Sequence, residues 1–108
     1  MSFMVKASKK AIIMTRGDTG MIAITVTDED SGEEITDYCG KFTVKKNLRD
    51  NFFVLQKPIF KGEIAFDHMD TQTMDFGDYL YDIEIMSEEQ VSTFGPYQFT
   101  LLPDVTTR

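Results

Sequence analysis

The sequence predicts an all-β protein. Short stretches of alternating apolar and polar residues follow one another along the chain, and turn-forming residues separate them. In the clearest stretch Tyr79, Tyr81, Ile83 and Ile85 share one face of an extended strand. No stretch has the pattern of an amphipathic crossover helix, which argues against a parallel α/β sheet. The expected fold is an immunoglobulin-like antiparallel β-sandwich of about seven or eight strands, with one short helical turn near residues 68–74.

The length and composition indicate one domain. A chain of 108 residues can bury one core, so a single β-sandwich domain is expected over 1–108, with 1–9 as a candidate flexible N-terminal arm. No apolar stretch approaches membrane-spanning length, so no membrane contact is expected. Cys39 is the only cysteine, which excludes an intrachain disulfide and favours a reducing compartment. We expect Cys39 to be a small buried or half-buried residue.

The first half of the chain contains three predicted strands. The first spans 10–15, and a turn at 16–20 follows it, rich in residues that bond their own backbone or tolerate positive φ. The second spans 21–27 and directs Ile22, Ile24 and Val26 inward. The third spans 41–46.

The second half begins with a strand at 52–59. Pro58 cannot donate to a sheet ladder, so this strand is expected at an edge or a bend. Another strand spans 62–67, and the helical turn near 68–74 follows, capped by Asp67 or Asp70.

The last predicted strands form a hairpin. The strand at 78–86 leads through a polar turn at 87–90 into 91–94, and Gly95-Pro96 breaks the chain before the final strand. Five aromatic residues are expected to fill the core: Phe42, Phe66, Tyr79, Tyr81 and Phe99.

Two groups of residues are predicted to form structural corners. Arg16, Gly17, Asp18 and Thr19 make the first turn, in which Asp18 or Thr19 would cap backbone donors. The second group has the spacing of a tyrosine corner, in which a Tyr hydroxyl bonds to backbone just upstream. Its members are Asp75, Gly77 and Tyr79.

The charge is acidic overall and unevenly distributed. The formal net charge of −7 argues against a nucleic-acid partner. Residues 1–61 contain ten basic and eight acidic residues, whereas 62–108 contain ten acidic residues and one basic residue. Either the two halves interleave in the folded sheets, or a basic and an acidic face meet head to tail between subunits.

The residue chemistry indicates no enzyme. A single histidine, His68, and one distant cysteine cannot build the usual zinc site, so no metal or other cofactor is expected. The acidic stretch 28–34 does not have the ligand spacing of a calcium-binding EF-hand loop. Four aromatic residues near strand ends are instead candidates for a subunit interface: Phe52, Phe53, Phe60 and Phe94.

Several segments, in this order, resemble a known family. They are the segment 13–19 with its Arg-Gly-Asp-Thr turn, Phe42-Thr43-Val44-Lys45, Asp70-Thr71, the strand 76–83 and a final Thr93. The chain resembles small phage and prophage tail proteins, in particular the N-terminal domain of the phage baseplate upper protein family. That resemblance implies a non-catalytic virion structural protein, assembled in bacterial cytoplasm. Its expected partners are other tail or baseplate subunits, and a homo-oligomer is a candidate state.

Two other functions remain open. A small carbohydrate- or cell-surface-binding module would need a shallow platform of exposed aromatic residues, for which Phe52, Phe53 and Tyr97 are the candidates. An acidic mimic of DNA would need its negative charges in one strip.

Overall fold

The protein is mainly β, as the sequence predicts. Its structure is a computed structural model that describes residues 3–6, 10–87 and 90–104. A short helix, α1 (His68–Gln72), lies between the seventh and eighth strands. The strands of the described residues are β1 (Phe3–Lys6), β2 (Ile12–Thr15), β3 (Gly20–Ala23), β4 (Thr25–Asp28), β5 (Cys39–Lys45), β6 (Leu55–Ile59), β7 (Glu63–Phe66), β8 (Gly77–Ser87) and β9 (Gln90–Leu102).

The largest sheet has five strands in the order β2-β9-β8-β5-β6. Four of them pair antiparallel, but β2 runs parallel to β9, with Ile12 opposite Phe99. The prediction of a purely antiparallel sheet is therefore wrong. Because no hairpin joins β2 to β9, their directions are not constrained to be opposite.

Two smaller sheets, β1–β4 and β3–β7, complete the fold. The large sheet curls like half a barrel around the core, and the predicted sandwich is not clearly formed. The reason lies at Ile24, which divides the predicted strand 21–27 into β3 and β4. Its N–H donates to the carbonyl of Gly62 at 2.7 Å, and beyond it β4 pairs with β1 instead of β7. The strands outside the large sheet thus form two separate pairs.

The core is formed mainly by buried residues of the large sheet together with Ile24, Val26, Ile64 and Phe66. The inward face of β8 is buried, as its alternation predicts. All five predicted core aromatics are confirmed as buried. Phe66 of β7 meets the ring of Phe42 edge-on, with centroids 5.6 Å apart. This contact joins the small sheet to the large one.

Helix α1 is short and well capped. Asp67 is the N-cap, and its carboxylate accepts a bond from the N–H of Met69 at 3.0 Å. Asp70 completes a capping box by accepting a bond from the N–H of Asp67 at 2.7 Å. An ion pair of 2.9 Å between Asp70 and Lys57 ties the helix to β6. The prediction of Asp67 as a cap is confirmed.

Two elements differ from the sequence prediction. Strand β1 lies inside the predicted N-terminal arm and pairs with β4, whereas 1–2 and 7–9 lie outside the described residues. Strand β9 continues through Gly95-Pro96, so the predicted break there is wrong. A register shift opposite Tyr81–Ile83 accommodates this pair, and Gly95 has a φ of 124°. Residues 88–89 of the predicted hairpin turn are outside the described part of the chain.

A buried tyrosine, Tyr81, is expected to make the free energy of unfolding fall as the pH rises through the alkaline range. The hydroxyl of Tyr81 donates to the backbone carbonyl of Lys10. Burial, and secondarily the nearby Tyr97, raise the pKa of Tyr81 to about 12. Between its ordinary pKa of about 10 and this raised value, the unfolded chain loses the phenol proton first. The stability that comes from this shift is therefore intact below the ordinary pKa and is lost as pH rises toward the folded value.

We expect the free energy of unfolding of Tyr81→Phe to depend less on pH in the alkaline range than that of the wild type. Urea unfolding of the wild type, of Tyr81→Phe and of Tyr97→Phe at several alkaline pH values measures this dependence. Tyr97→Phe should keep the steep decline because Tyr81 is still present. Equal pH dependence in the two variants would show that Tyr81 is not the group responsible.

Candidate functional site

The first predicted corner joins three distant parts of the chain. The N–H of Gly17 is buried and donates to Thr71 Oγ1 in α1 at 2.8 Å. The guanidinium of Arg16 donates to the carboxylate of Asp104 at 3.0 and 3.1 Å, and more weakly to the carbonyl of Met74 at 3.4 Å. The turn therefore links the end of β2 to α1 and to the segment after β9.

The rest of this turn is held locally. The N–H of Asp18 donates to the carbonyl of Thr15 at 3.1 Å, and Thr19 is exposed. This bond closes the turn through the backbone of residues 15 and 18.

The second predicted corner lies beside the first. The hydroxyl of Tyr79 donates to the carbonyl of Asp75 at 2.5 Å, four residues upstream. Gly77 begins β8 between them. The guanidinium of Arg16 lies 5.9 Å from the ring centroid of Phe76. The structure therefore brings the two predicted corners together at one end of the fold.

An exposed apolar loop lies at the same end. We define the β5–β6 patch as the four apolar residues of this loop, Leu48, Phe52, Phe53 and Val54. Their side chains are 64%, 83%, 52% and 45% exposed, respectively. Two of them, Phe52 and Phe53, were predicted interface residues. The patch therefore holds half of the predicted interface set.

The loop is anchored through its backbone and flanks. Asn47 N–H donates to Asp50 Oδ2 at 2.9 Å, and Val54 N–H donates to the carbonyl of Val44 at 2.8 Å. Lys46 Nζ bonds the carbonyl of Asp78 at 3.2 Å and lies 4.5 Å from the ring centroid of Tyr79. The patch is consequently presented by a loop with a defined backbone path.

The other predicted interface residues lie apart from the patch. Phe60 is 70% exposed, but it follows β6, at the far end of that strand from Phe53. Phe94 is half-buried and packs against the core. The four predicted residues do not form one surface.

A shallow groove connects the β5–β6 patch to the second corner. It has a volume of about 380 Å³, and Lys46, Val54, Thr73, Met74 and Tyr79 contribute to its walls. Sequence reasoning missed Leu48 and Val54 as members of this surface. The sequence does contain a signal for them: Leu48 directly precedes the polar, turn-rich stretch 49–51, and Val54 continues the apolar run Phe52-Phe53 that follows it.

Oppositely charged residues of the two halves of the chain meet within the fold. Lys41 of β5 lies opposite Glu84 of β8 in the ladder. Burial raises the pKa of Asp82, and the nearby Lys45 partly counteracts this. Together with the ion pairs of Lys57 and Arg16, these contacts support the interleaving hypothesis for the uneven charge.

Cys39 does not have the predicted burial. Its side chain is exposed, since it starts β5 on the face opposite to the buried Gly40, Phe42 and Val44. His68 is also exposed and lies 3.0 Å from the carboxylate of Asp67. Within the described residues, no three His, Cys, Asp or Glu side chains are grouped to hold a metal ion. In the same part of the chain, no helix has the length and apolar character to cross a membrane.

Comparison with models of known families, with curated proteins and with solved structures finds no match for this chain. The resemblance to phage baseplate proteins therefore stays a proposal that rests on the sequence motifs.

The corner contact between Gly17 and Thr71 predicts a measurable loss of stability. Thr71→Val keeps the shape of the side chain but removes the acceptor, leaving the buried N–H of Gly17 without this bond. We expect the free energy of unfolding to fall by about 1–3 kcal/mol. Thr73→Val, at an exposed position just after the same helix, should change it by less than about 0.5 kcal/mol. Equal unfolding curves for the two variants in urea would contradict this account of the corner.

Proposed function

We propose that the protein is a non-catalytic assembly protein that acts through protein–protein contacts. Its proposed place is a phage or prophage tail, near the baseplate, in a virion that is assembled in bacterial cytoplasm. Its proposed partners are other tail or baseplate subunits. The tail assignment rests on the sequence resemblance, and the mode of action rests on the exposed β5–β6 patch.

The β5–β6 patch is the observation that supports this function best. Four apolar side chains project into solvent within seven consecutive positions. Contiguous exposed apolar surface with a polar rim is typical of protein interaction sites. Lys46, Arg49 and Asp50 supply polar neighbours in the same loop. Because backbone hydrogen bonds already fix parts of the loop, binding would order fewer groups and lose less entropy.

The strand order supports an immunoglobulin-like reading of the fold. In the sheet β2-β9-β8-β5-β6, the three central strands match the G, F and C strands of an immunoglobulin domain in order and direction. Tyr79 at the start of β8 makes the bond of a tyrosine corner. On this interpretation the β1–β4 and β3–β7 pairs are a divided second layer.

Contacts through side chains suit this fold better than strand addition at β6. Pro58 lies in that edge strand, as predicted, and has no backbone N–H to offer an incoming strand. The aromatic side chains of the adjoining loop would then carry the interaction.

The carbohydrate-binding alternative gains no support from the aromatic positions. Tyr97 is half-buried, and its ring packs 5.4 Å from that of Tyr81. It belongs to β9, and the strands β8 and β5 lie between it and the loop of Phe52 and Phe53. The three residues therefore do not share one exposed platform.

The tail assignment predicts that the chain is part of a particle. We expect it to co-sediment with phage particles released from cells that encode it, and to be detected by mass spectrometry after the particles are washed. Presence in the cytosolic fraction alone would overturn the tail assignment.

The β5–β6 patch predicts a specific loss of incorporation. Phe52→Ser combined with Phe53→Ser should remove the chain from the particles without unfolding it, because both side chains are exposed. Val91→Ser is the matched control, since Val91 is 56% exposed but lies on β9. Normal incorporation of the double variant, with a wild-type unfolding curve, would show that the patch is not the contact surface.

A further inference from the structure

A second cavity lies where the chain after Ile24 diverges from β7, and we call this divergence the fork. The proposed function does not use this part of the molecule. Strand β3 pairs with β7, but after Ile24 the chain diverges as β4. On the edge of β4 away from β1, the segment 34–35 lies beside the strand. There the N–H of Ile35 donates to the carbonyl of Val26 at 2.7 Å. The cavity lies at this divergence, with Lys61 and Gly62 just before β7 on one side and the segment 34–36 on the other. We call it the fork cavity.

The apex of this fork has a specific backbone geometry. Ile24 N–H donates to the carbonyl of Gly62 at 2.7 Å. Gly62 has a φ of 77°, and a Cβ there would lie 2.8 Å from the carbonyl oxygen of Ile24. Only glycine fits this position without displacement of the backbone. The fork is thus fixed by local chemistry.

The cavity has the size and lining of a binding site for a small group. Its volume is about 420 Å³, within the usual range for ligand sites. Ile24, Val26 and Ile35 supply apolar walls, whereas Glu34 and Tyr38 supply polar groups. Within the described residues, neither the carboxylate of Glu34 nor the hydroxyl of Tyr38 makes a hydrogen bond or an ion pair.

The chain segment that borders this cavity is acidic. The adjoining stretch 28–37 contains six acidic residues and no Lys or Arg: Asp28, Glu29, Asp30, Glu33, Glu34 and Asp37. Burial, and secondarily the charge of Glu34, raise the pKa of Tyr38, so the Tyr38 hydroxyl lies within the electrostatic influence of that carboxylate. Lys61 also lines the cavity, with its ammonium 5.4 Å from the ring centroid of Phe60. Acidic groups around a cleft concentrate cations there.

We propose that the fork cavity binds an alkylammonium group, with the apolar stem against Ile24, Val26 and Ile35 and the cation beside Glu34. A lysine side chain of a partner protein and a free alkylamine share this chemistry. The site does not depend on the β5–β6 patch, since it borders the segment before β5 whereas the patch follows β5.

Titrations of the full chain with small probes test the site. Hexylammonium, hexanol and hexanoate have similar apolar stems and differ in charge. In methyl and amide NMR spectra, hexylammonium should produce saturable shifts at Ile24, Val26 and Ile35. Hexanol should bind several-fold more weakly, and hexanoate should not shift these signals. Equal binding of hexanoate, or hexylammonium shifts only elsewhere, would overturn the proposal.

Two variants identify the counter-ion. Glu34→Gln should weaken hexylammonium binding by about fivefold, as expected for loss of a partly exposed ion pair. Glu29→Gln removes one charge from the same acidic stretch without altering the cavity lining. The affinity of this variant for hexylammonium should therefore stay close to that of the wild type. Amide spectra of both variants check that the fold is intact. If both weaken binding equally, the proposed contact with Glu34 is wrong.

A blocked lysine, N-acetyl-lysine-methylamide, distinguishes the two sources of the group. Binding of this probe at the same methyl signals would assign the site to a lysine side chain of a protein partner. Binding of hexylammonium alone would assign it to a free amine. Binding of neither probe would refute the site.

Discussion

The fold depends on the aromatic contacts between β8 and its neighbours. Phe42 packs against Tyr81, with centroids 4.9 Å apart, and meets the ring of Phe66 in β7 edge-on. Phe99 contacts the rings of Phe42, Phe66 and Tyr79. Aromatic side chains bury large apolar areas and favour tilted or edge-on geometry. This cluster holds the curled sheet against the β3–β7 pair, which forms a separate sheet.

Different surface features lie at the two ends of the fold, on either side of this aromatic cluster. At one end, the corners of Arg16 and Tyr79 close the core, and the β5–β6 patch projects beside them. Toward the other end, the chain diverges from β7 after Ile24, and the fork cavity lies at this divergence. Strand β5 joins the two regions, with the acidic stretch before it and the apolar loop after it. One scaffold therefore presents an apolar surface and a recess bordered by an acidic segment in separate places.

Some charges of the two halves of the sequence pair within the fold. The two halves of the sequence differ greatly in net charge, and the cross-strand position of Lys41 opposite Glu84 supports local pairing between them. The ion pairs of Lys57 with Asp70 and Arg16 with Asp104 act in the same way. Such exposed or partly exposed pairs contribute little stability each, about 0–1 kcal/mol. Apolar side chains are consequently the stronger basis for an assembly contact.

The sequence alone determined the features that depend on local backbone geometry. Side chains alternate along an extended strand, so the buried face of β8 and the five core aromatics were predictable. Asp67 as a helix cap and Pro58 on an edge strand followed from the hydrogen bonds that each residue can or cannot make.

Only the tertiary structure decided the features that join distant segments. Gly17 and Thr71 lie 54 positions apart, and no local pattern predicts their hydrogen bond. The parallel pairing of β2 with β9 and the division of the strand at Ile24 also depend on which neighbours a strand meets. Alternation specifies the face that a strand buries, but it does not specify the strand beside it, because every half-buried strand carries the same period.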